Sequence, residues 1–105
     1  MADINKPIHQ FYIVRANKAK PRIWIEGKKL THAAFVAGTR FNITREDGKV
    51  YLYSNPLGSH KVSGNESRPI IDLSGKSCAP FDTGHPVFVT YYPTGQITIE
   101  EAAIS

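Results

Sequence analysis

The sequence predicts a small, mainly β domain in which two β-α-β-β repeats share one core, the helix of the second being degenerate. Three observations carry this. Residues 21–54 and 69–102 match in their apolar skeleton: Phe35, Gly38, Phe41 and Ile43 answer Phe81, Gly84, Val87 and Val89 at identical spacing. Ile23, Ile25 and Gly27 answer Ile71, Leu73 and Gly75, and Gly48, Val50 and Leu52 answer Gly95, Ile97 and Ile99. Within these segments apolar residues alternate with polar ones, the period of a half-buried strand. Finally, each copy is too short to bury its apolar face alone, so the 105 residues are expected to form one domain.

Taken in order, Phe11–Val14 is a short aromatic and β-branched run, read as a first strand. Residues 15–20 follow as a basic loop closed by Pro21. Arg22–Glu26 alternates Ile23 and Ile25 against Trp24, and Gly27 ends it. Leu30, Ala33 and Ala34 stand at i, i+3, i+4, which predicts a helix of about two turns over 28–35, with Gly38 as its stop signal. Thr39–Thr44 alternates again. Residues 46–49 carry an Asp-Gly turn suited to a tight hairpin. Val50–Tyr53 returns, with Val50 and Leu52 inward and Tyr51 and Tyr53 outward. Residues 55–68, rich in Ser, Gly and Asn, read as a linker in which Val62 alone hints at order. The first repeat thus spans 10–54 and the second 69–102. In the second, two residues fewer separate Gly75 from Phe81, and Pro80 biases Ala79 away from the helical region, so the helix is expected to shrink to a turn. Residues 87–92 and 96–100 form its closing hairpin across Pro93-Thr94-Gly95.

Composition narrows the function. No apolar run approaches the roughly 18–20 residues that span a bilayer. The first residues place charges and a proline where a signal peptide wants an apolar stretch, and the single cysteine, Cys78, fits a reducing cytoplasm. The net charge of +4 is unevenly spread. Through Lys61, eleven basic residues face four acidic ones, a balance of +7; beyond it two face five, a balance of −3. A basic patch confined to one part of a small domain is the electrostatic footprint of a nucleic-acid partner.

The order strand, short helix, strand, tight turn, strand resembles the SpoVT/AbrB-like swapped-hairpin families. The first copy is most similar to the SymE-like branch, in a pattern carried by Ile25, Gly27, Leu30, Ala33, Phe35 and Gly38. Lys29 stands where that branch usually shows Trp, and Ala34 where it often shows Gly. In those families two chains interleave hairpins into one β-barrel. The resemblance therefore implies a pseudo-dimeric barrel from a single chain, with DNA-contacting arginines at Arg15 and Arg22. The second copy has lost the basic loop and most of the helix, so a DNA site would be asymmetric, or a second molecule would supply its other half.

The candidate nucleic-acid-binding residues are Arg15, Lys18, Lys20, Arg22, Lys28 and Lys29, extended around the first hairpin by Arg40 and Arg45. Lys and Arg neutralise phosphates and release counterions, and Arg can bond guanine bidentately. Trp24, Tyr51 and Tyr53 point outward, where they could stack on bases, but packing on the other copy or on a partner is the stronger reading. The four histidines share no metal-ligand spacing, and no cofactor motif is present. The expected role is non-enzymatic DNA binding, in a regulator or antitoxin-like protein acting on duplex DNA. Two rivals are a protein-binding inhibitor of phage or mobile-element origin, docking through the acidic second repeat, and a SymE-like toxin acting on RNA, for which no acid/base pair presents itself beyond a guess at His32 with Lys28 or Lys29. Both a monomer and a homodimer are compatible with the sequence.

Overall fold

The alternating segments become two antiparallel sheets in the computed structural model, which describes residues 6–102. The strands are β1 (Ile8–Ile13), β2 (Arg15–Asn17), β3 (Lys20–Glu26), β4 (Arg40–Glu46), β5 (Lys49–Ser54), β6 (His60–Lys61), β7 (Ser63–Asn65), β8 (Arg68–Ser74), β9 (Pro86–Tyr92) and β10 (Gln96–Glu101). Helix α1 (Lys28–His32) follows β3, and a 3-10 turn (Gly75–Cys78) follows β8. One sheet has the order β1-β9-β10-β5-β4-β6 and the other β2-β3-β8-β7.

The pairing interleaves the two matched segments. In β3·β8, Ile23 faces Leu73 and Ile25 faces Ile71, so matched positions exchange across a centre at Trp24 and Asp72. In β5·β10, Val50 faces Ile99 and Leu52 faces Ile97, around a centre at Tyr51 and Thr98. Each ladder obeys the symmetry that the sequence match alone would impose. Strands β1 and β6 also pair with the opposite repeat, through β9 and β4.

The expected closed barrel is not what forms. The two sheets are separate ladders, joined where the chain crosses between them at two valines. Val14, between β1 and β2, accepts a hydrogen bond from the Gly84 N–H (2.8 Å) and donates to the His85 carbonyl (2.9 Å). Val62, between β6 and β7, accepts from the Gly38 N–H and donates to the Thr39 carbonyl, both at 2.9 Å. At each point a strand leaves one sheet and enters the other, bonded to a loop rather than to a neighbouring strand. Both valines are buried.

The stretch read as a linker, 55–68, therefore carries β6, β7 and the start of β8. It is the counterpart of the β1–β2 segment: Val62, Asn65 and Pro69 stand 48 residues beyond Val14, Asn17 and Pro21. Its way back over β4 needs Gly58, whose added Cβ would lie 2.5 Å from backbone atoms of Phe41. The basic loop likewise proves to be a hairpin, since Asn17 pairs with Lys20 across two residues.

Between the sheets lies one apolar cluster. Ile23, Ile25, Ile71 and Leu73 come from the smaller sheet, and Val50, Leu52, Val87, Val89, Ile97 and Ile99 from the larger. Leu30 and Phe35 enter from α1 and the segment after it. Each such side chain contributes roughly 1.5–3 kcal/mol on full burial. The helix is shorter than expected because Ala34 takes a left-handed conformation (φ 63°). The Ala34 N–H then bonds the Thr31 carbonyl, and the Phe35 N–H bonds the Leu30 carbonyl at 2.8 Å, a Schellman stop that turns Phe35 inward. Helix α1 ends there, before Gly38. In the second repeat the helix is reduced to the 3-10 turn, and the closing hairpins fall where the sequence sets them.

Val62→Ala tests whether 55–68 is structural. It removes two buried carbons at a sheet junction and should lower unfolding free energy by about 2 kcal/mol, read from a denaturant titration. A change within about 0.5 kcal/mol, the ordinary effect of an exposed spacer residue, would show the segment to be a spacer after all.

Candidate nucleic-acid interface

The basic cluster is built on the β2–β3 hairpin. Residues 15–20 are all exposed. The two turn residues, Lys18 (φ 54°) and Ala19 (φ 66°), both lie in the left-handed region, the signature of a type I′ turn. Such turns favour Asn-Gly or Asp-Gly, and the chain uses that chemistry in the β4–β5 hairpin, where Asp47 (φ 53°) and Gly48 (φ 76°) occupy the same positions. A non-glycine residue there costs about 1–2 kcal/mol. The β2–β3 turn bears that cost twice and carries a lysine.

Four residues share the outer face of the smaller sheet. Arg15 pairs directly with Arg22, and Lys20 and Trp24 lie two positions either side of Arg22, opposite in direction to buried Ile23 and Ile25. Two arginines facing each other would repel. The arrangement is relieved by Asp72, which accepts from Arg22 Nε at 2.9 Å and Nη2 at 3.0 Å. This bidentate hydrogen bond raises the Arg22 pKa further above its ordinary value. The Arg22 guanidinium also lies 4.7 Å from the centre of the Trp24 ring. The Tyr12 hydroxyl accepts from the Trp24 backbone N–H at 3.0 Å. Tyr12, Arg15, Ala16, Arg22 and Trp24 line a shallow depression of about 300 Å³ beside the hairpin. Its counterpart positions in the second repeat are His60, Ser63, Gly64, Ile70 and Asp72, without a single Lys or Arg. The fold thus needs neither the charge nor the tryptophan at this place.

The remaining predicted residues separate. Lys28 is exposed and Lys29 half-buried on α1, which begins one residue beyond the end of β3. Arg40 and Arg45 belong to β4 in the other sheet. Arg40 Nη1 donates to the Gly58 carbonyl at 3.2 Å. Arg45 is tied to the 3-10 turn, donating to the carbonyls of Ala79 (2.6 Å), Ser77 (3.0 Å) and Lys76 (3.2 Å). Both arginines thus donate to backbone carbonyls, in the sheet that does not carry the hairpin. Tyr12 is the residue that sequence reasoning misses. Its only sequence signal is its place two residues before the strand crossing at Val14.

The histidines, Cys78 and Tyr91 each make a contact within the fold. His32 Nε2 bonds the Lys6 carbonyl at 2.7 Å, and His9 Nδ1 meets Thr90 Oγ1 at 3.1 Å. His85 Nδ1 accepts from the Asp82 N–H at 2.9 Å, and His60 stacks on Phe41. Burial pushes the Cys78 thiol pKa up, and its Sγ–H donates to the Leu73 carbonyl at 3.1 Å. Tyr91 is fully buried, which raises its pKa, and its hydroxyl donates to Gln10. Tyr51 lies under the Lys49 ammonium at 5.5 Å. Among the described residues no group of three or more His, Cys, Asp or Glu could hold a metal ion, and no helix is long and apolar enough to cross a membrane.

Arg45→Ala separates bracing from binding. It should lower stability by about 1 kcal/mol, the scale of charged but exposed hydrogen bonds, and leave any nucleic-acid affinity the chain has unchanged. An affinity loss without a stability loss would return Arg45 to the interface. In comparisons with known proteins, no family model, curated protein or solved structure matches this chain.

Proposed function

We propose that this chain binds duplex DNA through the β2–β3 hairpin, in a regulator or antitoxin-like role, on a scaffold that resembles a SpoVT/AbrB-like swapped-hairpin dimer fused into one chain. The exchanged register of β3·β8 and β5·β10 supports the scaffold reading. One observation carries the function. The hairpin holds Lys18 and Ala19 in conformations that favour glycine, at the tip of a basic projection, while the same chain places Asp-Gly in its other type I′ turn. Ala34 is held left-handed by the stop of α1, and Asp47 is a residue that tolerates that region; a lysine and an alanine kept there together at an exposed tip support selection for what the site touches.

The chemistry suits a nucleic-acid backbone. Arg15, Lys18 and Lys20 form no salt bridge among the described residues, so their charges are available to phosphates. Arg22 is held by Asp72 and positions the surface more than it contributes charge. A two-stranded ribbon fits the major groove of B-DNA, which is about 12 Å wide. The equivalent tip on β7–β8 has Glu66 where the first has Lys18, and its Arg68 is paired with Glu26 at 3.3 Å. One molecule therefore offers one basic ribbon, and the DNA contact it makes is asymmetric.

The test is a salt titration of duplex binding. Affinity should fall linearly in log–log form, and Lys18→Gln with Lys20→Gln should reduce the slope by ~0.9 for each phosphate no longer neutralised. Ala19→Gly serves as the control: it relieves the turn, raises stability by about 1 kcal/mol and leaves the slope unchanged. Absence of duplex binding at low salt, or a slope indifferent to both lysines, would overturn the proposal.

A further inference from the structure

Sheets must manage their edges, and this protein manages all but one. Strand β6 has two residues, while β2 and β7 have three each, and the latter two end beside charged turn residues. Gly64 further breaks β7, with a φ of 85°. Strand β1 is different. It has six residues, IHQFYI, with no Lys, Arg, Asp, Glu, proline or glycine, and among the described residues nothing pairs with its outer edge.

The polarity of that edge can be derived. Pro86 faces Ile13, and its carbonyl accepts from the Ala102 N–H on the side away from β1. Ile13 therefore turns its own N–H and C=O away from β9. By the alternation of antiparallel ladders, Phe11 and His9 do the same. The side chains agree with an unfinished surface. Phe11 is 50% exposed, Ile13 53% and its neighbour Phe88 43%. Phe11 and Phe88 meet edge to face at 5.8 Å, and the outer edge opens onto a groove lined by Gln10, Phe11, Tyr12, Ile13 and Arg15. A long, uncharged, apolar edge is a template for another strand.

We infer that the occupant is the β1 strand of a second copy, paired antiparallel about a two-fold axis at Phe11. Three features select a copy of this chain. The edge carries no Lys, Arg, Asp or Glu in a chain of net charge +4, so two copies meet along it without like charges across the new ladder. Its outward-facing residues are self-complementary: centring on Phe11 sets Phe11 against Phe11 and His9 against Ile13, three hydrogen-bonded pairs. The outer face then carries an unbroken row of Phe88, Phe11, Phe11 and Phe88 across the seam. Moreover the pairing consumes both unmanaged edges at once, and the short remaining edges cannot propagate it, so assembly closes at two. The inference does not rest on the nucleic-acid reading.

Sedimentation equilibrium and amide hydrogen exchange test it together. The mass of the intact protein should rise with concentration from 11.7 kDa towards twice that value. The backbone amides of His9, Phe11 and Ile13 should gain protection over the same range, while those of Gln10 and Tyr12, already in the β1·β9 ladder, stay protected throughout. Phe11→Lys and Ile13→Lys, checked for folding by circular dichroism, should remain at the monomer mass. The exchange measurement on the unaltered chain decides the matter if either variant fails to fold. A constant monomer mass would overturn the inference. So would a dimer whose His9, Phe11 and Ile13 amides stay unprotected, or protection that appears only when a different protein is added.

Discussion

Everything in this molecule depends on two strands that change sheets. Val14 and Val62 are the crossing points, and each is pinned by a donor and an acceptor from the loop before a strand of the other sheet partner. A buried backbone that leaves a ladder must find partners elsewhere, and here the partners come from residues 38–39 and 84–85. Because β1, β3, β5 and β6 all pair with strands of the opposite half, neither repeat completes a sheet by itself. The shared core follows from this pairing, with its apolar side chains drawn alternately from both halves.

The match between the two halves leaves an asymmetric surface on a near-symmetric frame. Positions that hold the frame are matched: Ile23 with Ile71, Ile25 with Leu73, Val14 with Val62. Positions that face solvent have separated: Lys18 from Glu66, Arg15 from Ser63, Trp24 from Asp72. The last pair is instructive, since the two residues lie directly opposite each other at the centre of β3·β8. There Asp72 neutralises Arg22 beside the tryptophan.

Much of the fold is legible in the sequence because alternation and turn chemistry are local. Ile23, Ile25, Val50 and Leu52 announce their inward faces, and Asp47-Gly48 announces its turn. What is not legible is carried by tertiary bonds or by very short strands. Ser63, Gly64 and Asn65 have no apolar alternation, so β7 resembles linker. The signal that could find it is the spacing Val-x-x-Asn, followed by a proline, shared with the β1–β2 segment. The early end of α1 depends on Ala34, a residue with no preference for the left-handed region, held there by the burial of Phe35. At the candidate site the cations are visible by their charge alone. Which of them are committed is not, because Arg45 finds its carbonyls in the second repeat and Arg22 its carboxylate 50 positions away.

The interleaving is tested most directly by cutting it. Residues 1–57 and 58–105 can be made as separate chains, divided at Leu57, which is 91% exposed in the β5–β6 connection. Far-UV circular dichroism with thermal unfolding of each half, and of an equimolar mixture, is the measurement. Each half alone should be unfolded, and the mixture should recover the cooperative transition of the intact chain. A cooperative transition in either half alone would contradict the account.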